Sequence, residues 1–299
     1  MSEYSVLTED ELRLLPSDED VLRYEKTGWY LSQKLLSDAE TEALTEASER
    51  FYAGHRDREL PVQPDRLADW SSADGEIQRN SDYIHYRDET IAKILRKPLV
   101  AAVAARLART PEIRTFQATL IYKPAAPEET SNIVSWHFDK YFWPTCSSDN
   151  MLTAFIPFHD CTEEAGTITM VPGSHRWERR HGAERPAGDP ADVAREYLLE
   201  GDAERNGATI ERVPVHIPRG HMTFHHCLLY HGSGPNRSPH PRRAISFHLQ
   251  DGSNAYRHYR DSDGRQQPYK HDVLVRRTPS GEPDYTDPEF CPTLWPAGG

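Results

Sequence analysis

Apolar positions divide the chain into a helical first third and a stranded middle. Before residue 108 they recur at three- and four-residue spacing, which is one face of an α-helix. Thr8 and Ser17 are N-caps opening short acidic helices over residues 8–25. Gly28-Trp29-Tyr30-Leu31 reads as a short strand. Ser37, with Glu40 three residues on, is a capping box. It predicts a helix to about Tyr52 with Leu44 and Ala47 on its inner face. Asp88 to Leu107 places Ile91, Ile94, Leu95, Leu99 and Val100 on one side, and Pro98 splits or kinks it. Residues 56–82 are polar and aperiodic, with Pro61, Pro64, Trp70, Ser71, Ser72 and Gly75, and are expected to be a long loop or lid.

From residue 112 the period becomes two. Thr115–Lys123, Val134–Lys140, Met151–Phe158, Thr167–Val171, residues 213–217, Met222–His226 and Arg243–Gln250 read as strands. In the last of these, Ile245, Phe247 and Leu249 share a face. Pro124-Ala125-Ala126-Pro127 and Pro172-Gly173-Ser174-His175 are turn signals, and a helix is predicted over Pro190–Leu199, inserted between strands. The polar, Pro-rich and aromatic stretch from Asn254 is expected to wrap the body. This order predicts an all-β core with flanking helices, a double-stranded β-helix (jelly roll, cupin-like). It predicts one domain over residues 1–299: a helical N-terminal region over residues 1–110, the core over 111–252 and a tail over 253–299, with no internal repeat.

Composition narrows the function. A net charge of −12 argues against nucleic-acid or anionic-membrane partners, which select basic faces. The four cysteines are scattered without a Cys-x-x-Cys pair, as in reduced thiols. No basic leader follows Met1, and no apolar run approaches the ~18 residues of a membrane span. The expectation is a cytoplasmic protein with a small-molecule substrate; no pattern specifies its oligomeric state.

Chemistry concentrates in two stretches. On a strand His137 and Asp139 face one side while Phe138 points away, whereas a helix would set them about 200° apart. His231 lies about ninety residues on, where an apolar strand end meets the turn Gly232-Ser233-Gly234. Two imidazoles and a carboxylate are the ligand set of a facial-triad Fe(II) oxygenase, with open positions for cosubstrate and O₂. His216, His221, His225 and His226 compete with His231 for the third place. Arg242 and Arg243 open a strand, so only one points inward, where its planar fork suits the far carboxylate of a metal-bound 2-oxo acid. Taken singly, each feature has a bland reading as loop, strand-end histidine or surface arginine, and only the combination carries weight.

Trp136-His137-Phe138-Asp139, then Glu164-Ala165-Gly166 with Met170-Val171-Pro172-Gly173-Ser174-His175, then His231-Gly232-Ser233-Gly234-Pro235-Asn236, then Arg242-Arg243-Ala244-Ile245-Ser246 occur in this order. Over roughly residues 20–252 the chain thereby resembles the phytanoyl-CoA dioxygenase family of Fe(II)- and 2-oxoglutarate-dependent oxygenases. The resemblance implies Fe(II) as cofactor, with 2-oxoglutarate and O₂ as cosubstrates. It implies His137, Asp139 and His231 as the catalytic iron ligands, and Arg242 holding the distal carboxylate of 2-oxoglutarate with help from Ser233. It turns Arg243 outward, puts Thr119 and Gln117 on the strand lining the cosubstrate pocket, sets the Phe155 ring against the cosubstrate and makes His175 a member of a structural turn. Asp139 separates the chain from the halogenating branch, where a small residue replaces the carboxylate. Tyr141, Phe142 and Trp143 are read either as core packing or as a wall for a flat or cyclic substrate, and no basic cluster suggests a coenzyme A site. The expected reaction is hydroxylation of an unactivated C–H in a small molecule of secondary metabolism. Epimerisation, desaturation or cyclisation at the same iron is the alternative outcome, and a non-catalytic jelly-roll binding or sensor protein is the alternative class.

Overall fold

The computed structural model describes residues 6–65, 67–125, 133–179, 193–260, 264–266 and 268–296. In chain order the strands are β1 (Trp29–Leu31), β2 (Arg79–Asp82), β3 (Ile113–Lys123), β4 (Val134–His137), β5 (Leu152–Pro157), β6 (Ile168–Met170), β7 (Val213–Pro214), β8 (Thr223–His226), β9 (His231–Ser233), β10 (Arg242–Asp251) and β11 (Thr293–Trp295). The helices are α1 (Glu9–Leu12), α2 (Asp18–Thr27), α3 (Asp38–Tyr52), α4 (Ile84–Arg87), α5 (Glu89–Leu95), α6 (Pro98–Leu107) and α7 (Val193–Arg205). The strands form two antiparallel sheets. The larger runs β1-β8-β5-β10-β3-β11 with β2 also on β3, and the smaller runs β4-β9-β6-β7. This is the jelly-roll core with flanking helices that the strand pattern predicts.

Side-chain alternation gives the larger sheet two unlike faces. Ala118, Leu120, Ala154, Ile156, Phe224, Ile245, Phe247 and Leu249 belong to one buried apolar cluster with Leu44 and Phe51 of α3, Ile91 of α5 and Leu99 and Val103 of α6. The residues between them face the other way. Gln117, His248, Thr153 and His225 stand in one row across β3, β10, β5 and β8. Thr119, Ser246, Phe155 and Thr223 form the row beside it. Helix packing thus stabilises the sheet from outside, by about 25 cal/mol per Å² of apolar surface buried, and leaves its inner face for polar groups.

The helix signals hold at atomic level. Thr8, Ser17 and Ser37 each close a capping box, with Glu11, Asp20 and Glu40. Asp88 caps α5 through Ile91 N at 2.9 Å, and Pro98 starts α6 as a separate helix. Four strand expectations are adjusted. Residues 79–82, read as loop, are β2: polar Arg79-Asn80-Ser81-Asp82 shows no alternation, and its strand form comes from pairing with β3. The strand from Val134 ends at His137, and Asp139–Phe142 is a 3₁₀ turn. Residues 213–217 give only the two-residue β7 and a bridge from Ile217 to Cys161, since Pro214 and Pro218 lack the N–H a ladder needs. The tail supplies β11 on the edge of β3, and Gln250 binds it through the Tyr285 carbonyl at 3.0 Å. The predicted helix start at Pro190 lies outside the described residues, and α7 runs on to Arg205. All four cysteines are buried free thiols. Among the described residues no helix is long and apolar enough to cross a membrane.

Candidate active site

His137 ends β4 and His231 begins β9, and these two residues are register partners. Pairing of two strands therefore sets the imidazoles side by side, with ring centroids 4.2 Å apart. Each ring is oriented the same way. His137 Nδ1 lies 2.7 Å from the Ser135 carbonyl and His231 Nδ1 lies 2.9 Å from the Leu229 carbonyl. A carbonyl only accepts, so both Nδ1 atoms carry the proton and both Nε2 atoms present lone pairs. Those lone pairs converge on Asp139 Oδ1, 3.8 Å from His137 Nε2 and 3.6 Å from His231 Nε2. Phe138 keeps an extended backbone between the two ligand positions. Its ring turns away and packs edge-on against Tyr230. The strand argument for His137 and Asp139 therefore survives even though β4 stops one residue short of Phe138.

Among the described residues, one group of His, Cys, Asp and Glu has ligand atoms mutually within 4.8 Å, and it is His137, Asp139 and His231. Their protonation suits a divalent cation. Burial pushes His231 well below the usual imidazole range, with His137 and His225 adding to the effect, so it is neutral. Burial alone would raise Asp139, but the surrounding imidazoles of His231, His225 and His248 outweigh it and hold the carboxyl well below its ordinary value.

A second feature stands at the ends of β3 and β10, where Arg242 faces Lys123 in register. Both are buried. Lys123 Nζ donates to Ser233 Oγ at 2.7 Å and to the Gly234 carbonyl at 2.6 Å, and Arg242 Nη1 donates to the Gly166 carbonyl at 2.7 Å. Arg242 Nε has no partner, and neither cation pairs with a carboxylate among the described residues. Burial, with Arg242 beside it, pushes the Lys123 ammonium down to about 6. The Phe155 ring lies under the Arg242 guanidinium at 5.3 Å. Gly166 makes this corner possible. It sits at φ +66°, and a Cβ there would meet the Gly234 carbonyl at 2.7 Å. A buried guanidinium and a buried amine that meet no carboxylate among the described residues are a donor set suited to a small carboxylate. Arg243, one residue on, points outward to Glu49 at 3.2 Å.

Gln117 and Thr119 sit on β3 but turn to a third group. Gln117 Nε2 and Thr119 Oγ1 each donate at 2.8 Å to Asp82 Oδ1. Asp82 Oδ2 receives Ala68 N at 3.0 Å and the Lys270 ammonium, while Tyr269 hydroxyl donates to Gln117 Oε1. Asp82 thereby ties the 56–82 loop, β3 and the C-terminal tail together. Lys270→Met leaves that buried carboxylate without its cation, at a cost of up to about 3 kcal/mol. Limited proteolysis should then cut the tail severalfold faster, and an unchanged cleavage rate would show that the tail is held elsewhere.

The aromatic run is split. Phe142 is exposed and edge-on to His137 at 5.6 Å, and Tyr141 is half-buried against Phe138. Trp143 corrects the wall reading: it is 2% exposed, packed on Phe116 and on His248, and lies beneath the site. Sequence reading missed Lys123 and Asp82. A lysine ending a long strand and an aspartate in a polar loop carry no local signal, although Lys123 is identifiable once β3 is paired with β10.

A jelly roll that brings together two imidazoles and a carboxylate, two of the three buried, beside a buried guanidinium and amine is the architecture of a metal-dependent oxygenase. Comparison with known proteins agrees. The sequence profile of the family described as phytanoyl-CoA dioxygenase matches residues 24–244, and the chain belongs to that family of Fe(II)- and 2-oxoglutarate-dependent dioxygenases. Peroxisomal phytanoyl-CoA dioxygenase of Bos taurus is 25% identical over 251 residues, covering 82% of this chain and 70% of the relative. Among solved structures, the non-haem alpha ketoglutarate dependent epimerase SnoN from nogalamycin biosynthesis superposes with TM-score 0.64 at 23% identity, covering 95% of this chain and 98% of that one. EctD from S. alaskensis, solved with 2-oxoglutarate and 5-hydroxyectoine, gives TM-score 0.66 at 22% identity, covering 93% and 87%. At these identities the two structures share the fold with this chain.

Proposed function

We propose that His137, Asp139 and His231 hold Fe(II), that Arg242 and Lys123 hold the distal carboxylate of 2-oxoglutarate, and that the enzyme hydroxylates an unactivated C–H bond of a small secondary metabolite. The observation that carries this reading is the conjunction of the His-Asp-His cluster with the two buried basic groups Arg242 and Lys123. A structural metal site needs no anion socket beside it, so the pair argues against a binding or sensor role.

When bound, Fe(II) and 2-oxoglutarate supply O₂-dependent C–H oxidation with release of succinate and CO₂. The chain's own groups prepare for it. His137 and His231 present neutral Nε2 atoms because backbone carbonyls hold Nδ1–H. Arg242 and Lys123 fix one end of the cosubstrate, and Phe155 supports the guanidinium from below. Ser233 orients the lysine, and so acts on the carboxylate through Lys123. Phe142, exposed against His137, is the member of the aromatic run that meets substrate in this reading. The tail segment carrying Tyr269 and Lys270 closes the side bounded by Asp82, which excludes water from the reacting end.

Anaerobic addition of Fe(II) and then 2-oxoglutarate is expected to give a weak visible charge-transfer band, and its absence would favour the binding-protein reading. With substrate and O₂, a product heavier by one oxygen supports hydroxylation. Unchanged mass would indicate epimerisation, and loss of two hydrogens desaturation or ring closure.

A further inference from the structure

The two oxygens of Asp139 have different surroundings. Oδ1 faces the Nε2 atoms of His137 and His231. Oδ2 faces the polar row of the larger sheet. Thr153 Oγ1 donates to it at 2.5 Å, and His225 Nε2 lies 3.3 Å away. Thr153 has one proton, already given to Asp139, so the 2.8 Å contact with His248 Nδ1 runs from the imidazole N–H to Oγ1. His248, Thr153 and Asp139 therefore form a directed chain that ends on Oδ2.

His225 has no other occupation in the structure. It is 1% exposed, in register with Thr153, and neither ring nitrogen makes a well-aligned hydrogen bond among the described residues. Leaving a buried polar group unsatisfied costs about 1–3 kcal/mol, so an imidazole at this point needs a reason that packing does not supply. It stands outside the cluster formed by His137, Asp139 and His231, although its ring is 4.4 Å from that of His231.

Resting on the iron reading above, we propose that His225 is a positioning residue that, with Thr153, holds Oδ2 of Asp139 so that the carboxylate offers the metal Oδ1 alone. The reason is donor count. Two imidazoles and one carboxylate oxygen would hold Fe(II) and leave room for a 2-oxo acid and O₂. A carboxylate that turned to offer both oxygens would take up part of that room. The Thr153 hydrogen bond and the His225 contact on Oδ2 oppose that turn, and both come from strands of the larger sheet, outside the sheet that carries His137 and His231. The sequence placed His225 among the competitors for the metal; the structure assigns it to the carboxylate.

The test is anaerobic titration of metal-free protein with Mn(II), followed by the visible spectrum with Fe(II) and 2-oxoglutarate. His225→Leu is expected to weaken Mn(II) binding by about 10–100-fold, the usual loss when a group supporting a ligand is removed, and to alter the Fe(II)–2-oxoglutarate band. His225→Gln, whose amide N–H reaches toward Oδ2, is expected to recover most of both. Thr153→Val should weaken binding in the same direction and Thr153→Ser should not, a comparison that stands even if His225→Leu fails to fold. Wild-type affinity and spectrum in His225→Leu, or in Thr153→Val where the former is unfolded, would overturn the proposal. So would a His225→Gln variant as weak as His225→Leu, since the imidazole would then itself be a ligand. Wild-type protein that binds neither Mn(II) nor Fe(II) would overturn the iron reading together with this one, whereas a loss confined to the variants supports both.

Discussion

Alanine at Asp139 or at His137 is expected to abolish substrate-dependent succinate formation. The two substitutions remove different kinds of donor. His137 contributes one neutral nitrogen, and Asp139 contributes the only negative charge among the three residues. Loss of either leaves two protein donors, and affinity for Fe(II) should fall by more than the ~10–100-fold typical of residues that merely support a ligand. Asp139→Ala also strands the buried Thr153 hydroxyl and removes the carboxylate 3.3 Å from the buried His225 imidazole. His137→Ala removes a ring that is partly open to solvent and whose Nδ1 proton serves a backbone carbonyl. Thermal unfolding should thus separate the two variants while succinate release does not. Full activity in both would remove the metal assignment.

The second large effect is expected at the carboxylate socket. Arg242→Met keeps the side-chain volume and deletes the charge. Truncating one partner of a buried charge pair costs about 2–5 kcal/mol, which is a rise of about 30- to several-thousand-fold in the dissociation constant for 2-oxoglutarate. Lys123 gives the same pocket a pH signature. Its ammonium is pushed down to about 6 by burial and by Arg242, so the empty socket holds a neutral lysine at pH 7.5. A carboxylate beside it favours the charged form, so binding should take up a proton, approaching one per site. Affinity is then expected to fall as pH rises from about 6 toward the higher value of the liganded state, and to level off below 6. Calorimetry in two buffers of different ionisation enthalpy measures the uptake. No uptake would mean that the carboxylate does not sit against Lys123. For folding the sign is opposite to that of a salt-bridged lysine: the depressed value costs stability as pH falls below the unfolded range, and most below about 6. Lys123→Met should therefore stabilise the empty protein while weakening cosubstrate binding.

Much of the site was legible in the chain because its elements are local. A strand period places His137 and Asp139 on one side, a Gly-rich turn marks His231, and alternation permits only one of Arg242 and Arg243 to face inward. The capping boxes at Thr8, Ser17 and Ser37 were equally legible, since a cap involves residues three apart. What escaped sequence reading depends on partners distant in the chain. β2 is strand only because β3 lies beside it. Trp143 reads equally as core or as substrate wall until Phe116 and His248 are seen packed on it.

The sequence by itself determined the architecture class, and it marked the two stretches and the arginine that the fold brings toward one another, because periodicity, turn chemistry and donor type are written in neighbouring residues. Tertiary structure alone decided that His225 lies against Asp139 Oδ2, that Lys123 joins Arg242, and that Asp82 fastens the tail. These depend on pairing between segments roughly 90 to 190 residues apart in the chain. Register is set by which face of each strand the helices bury, a property of the whole core that no local stretch contains.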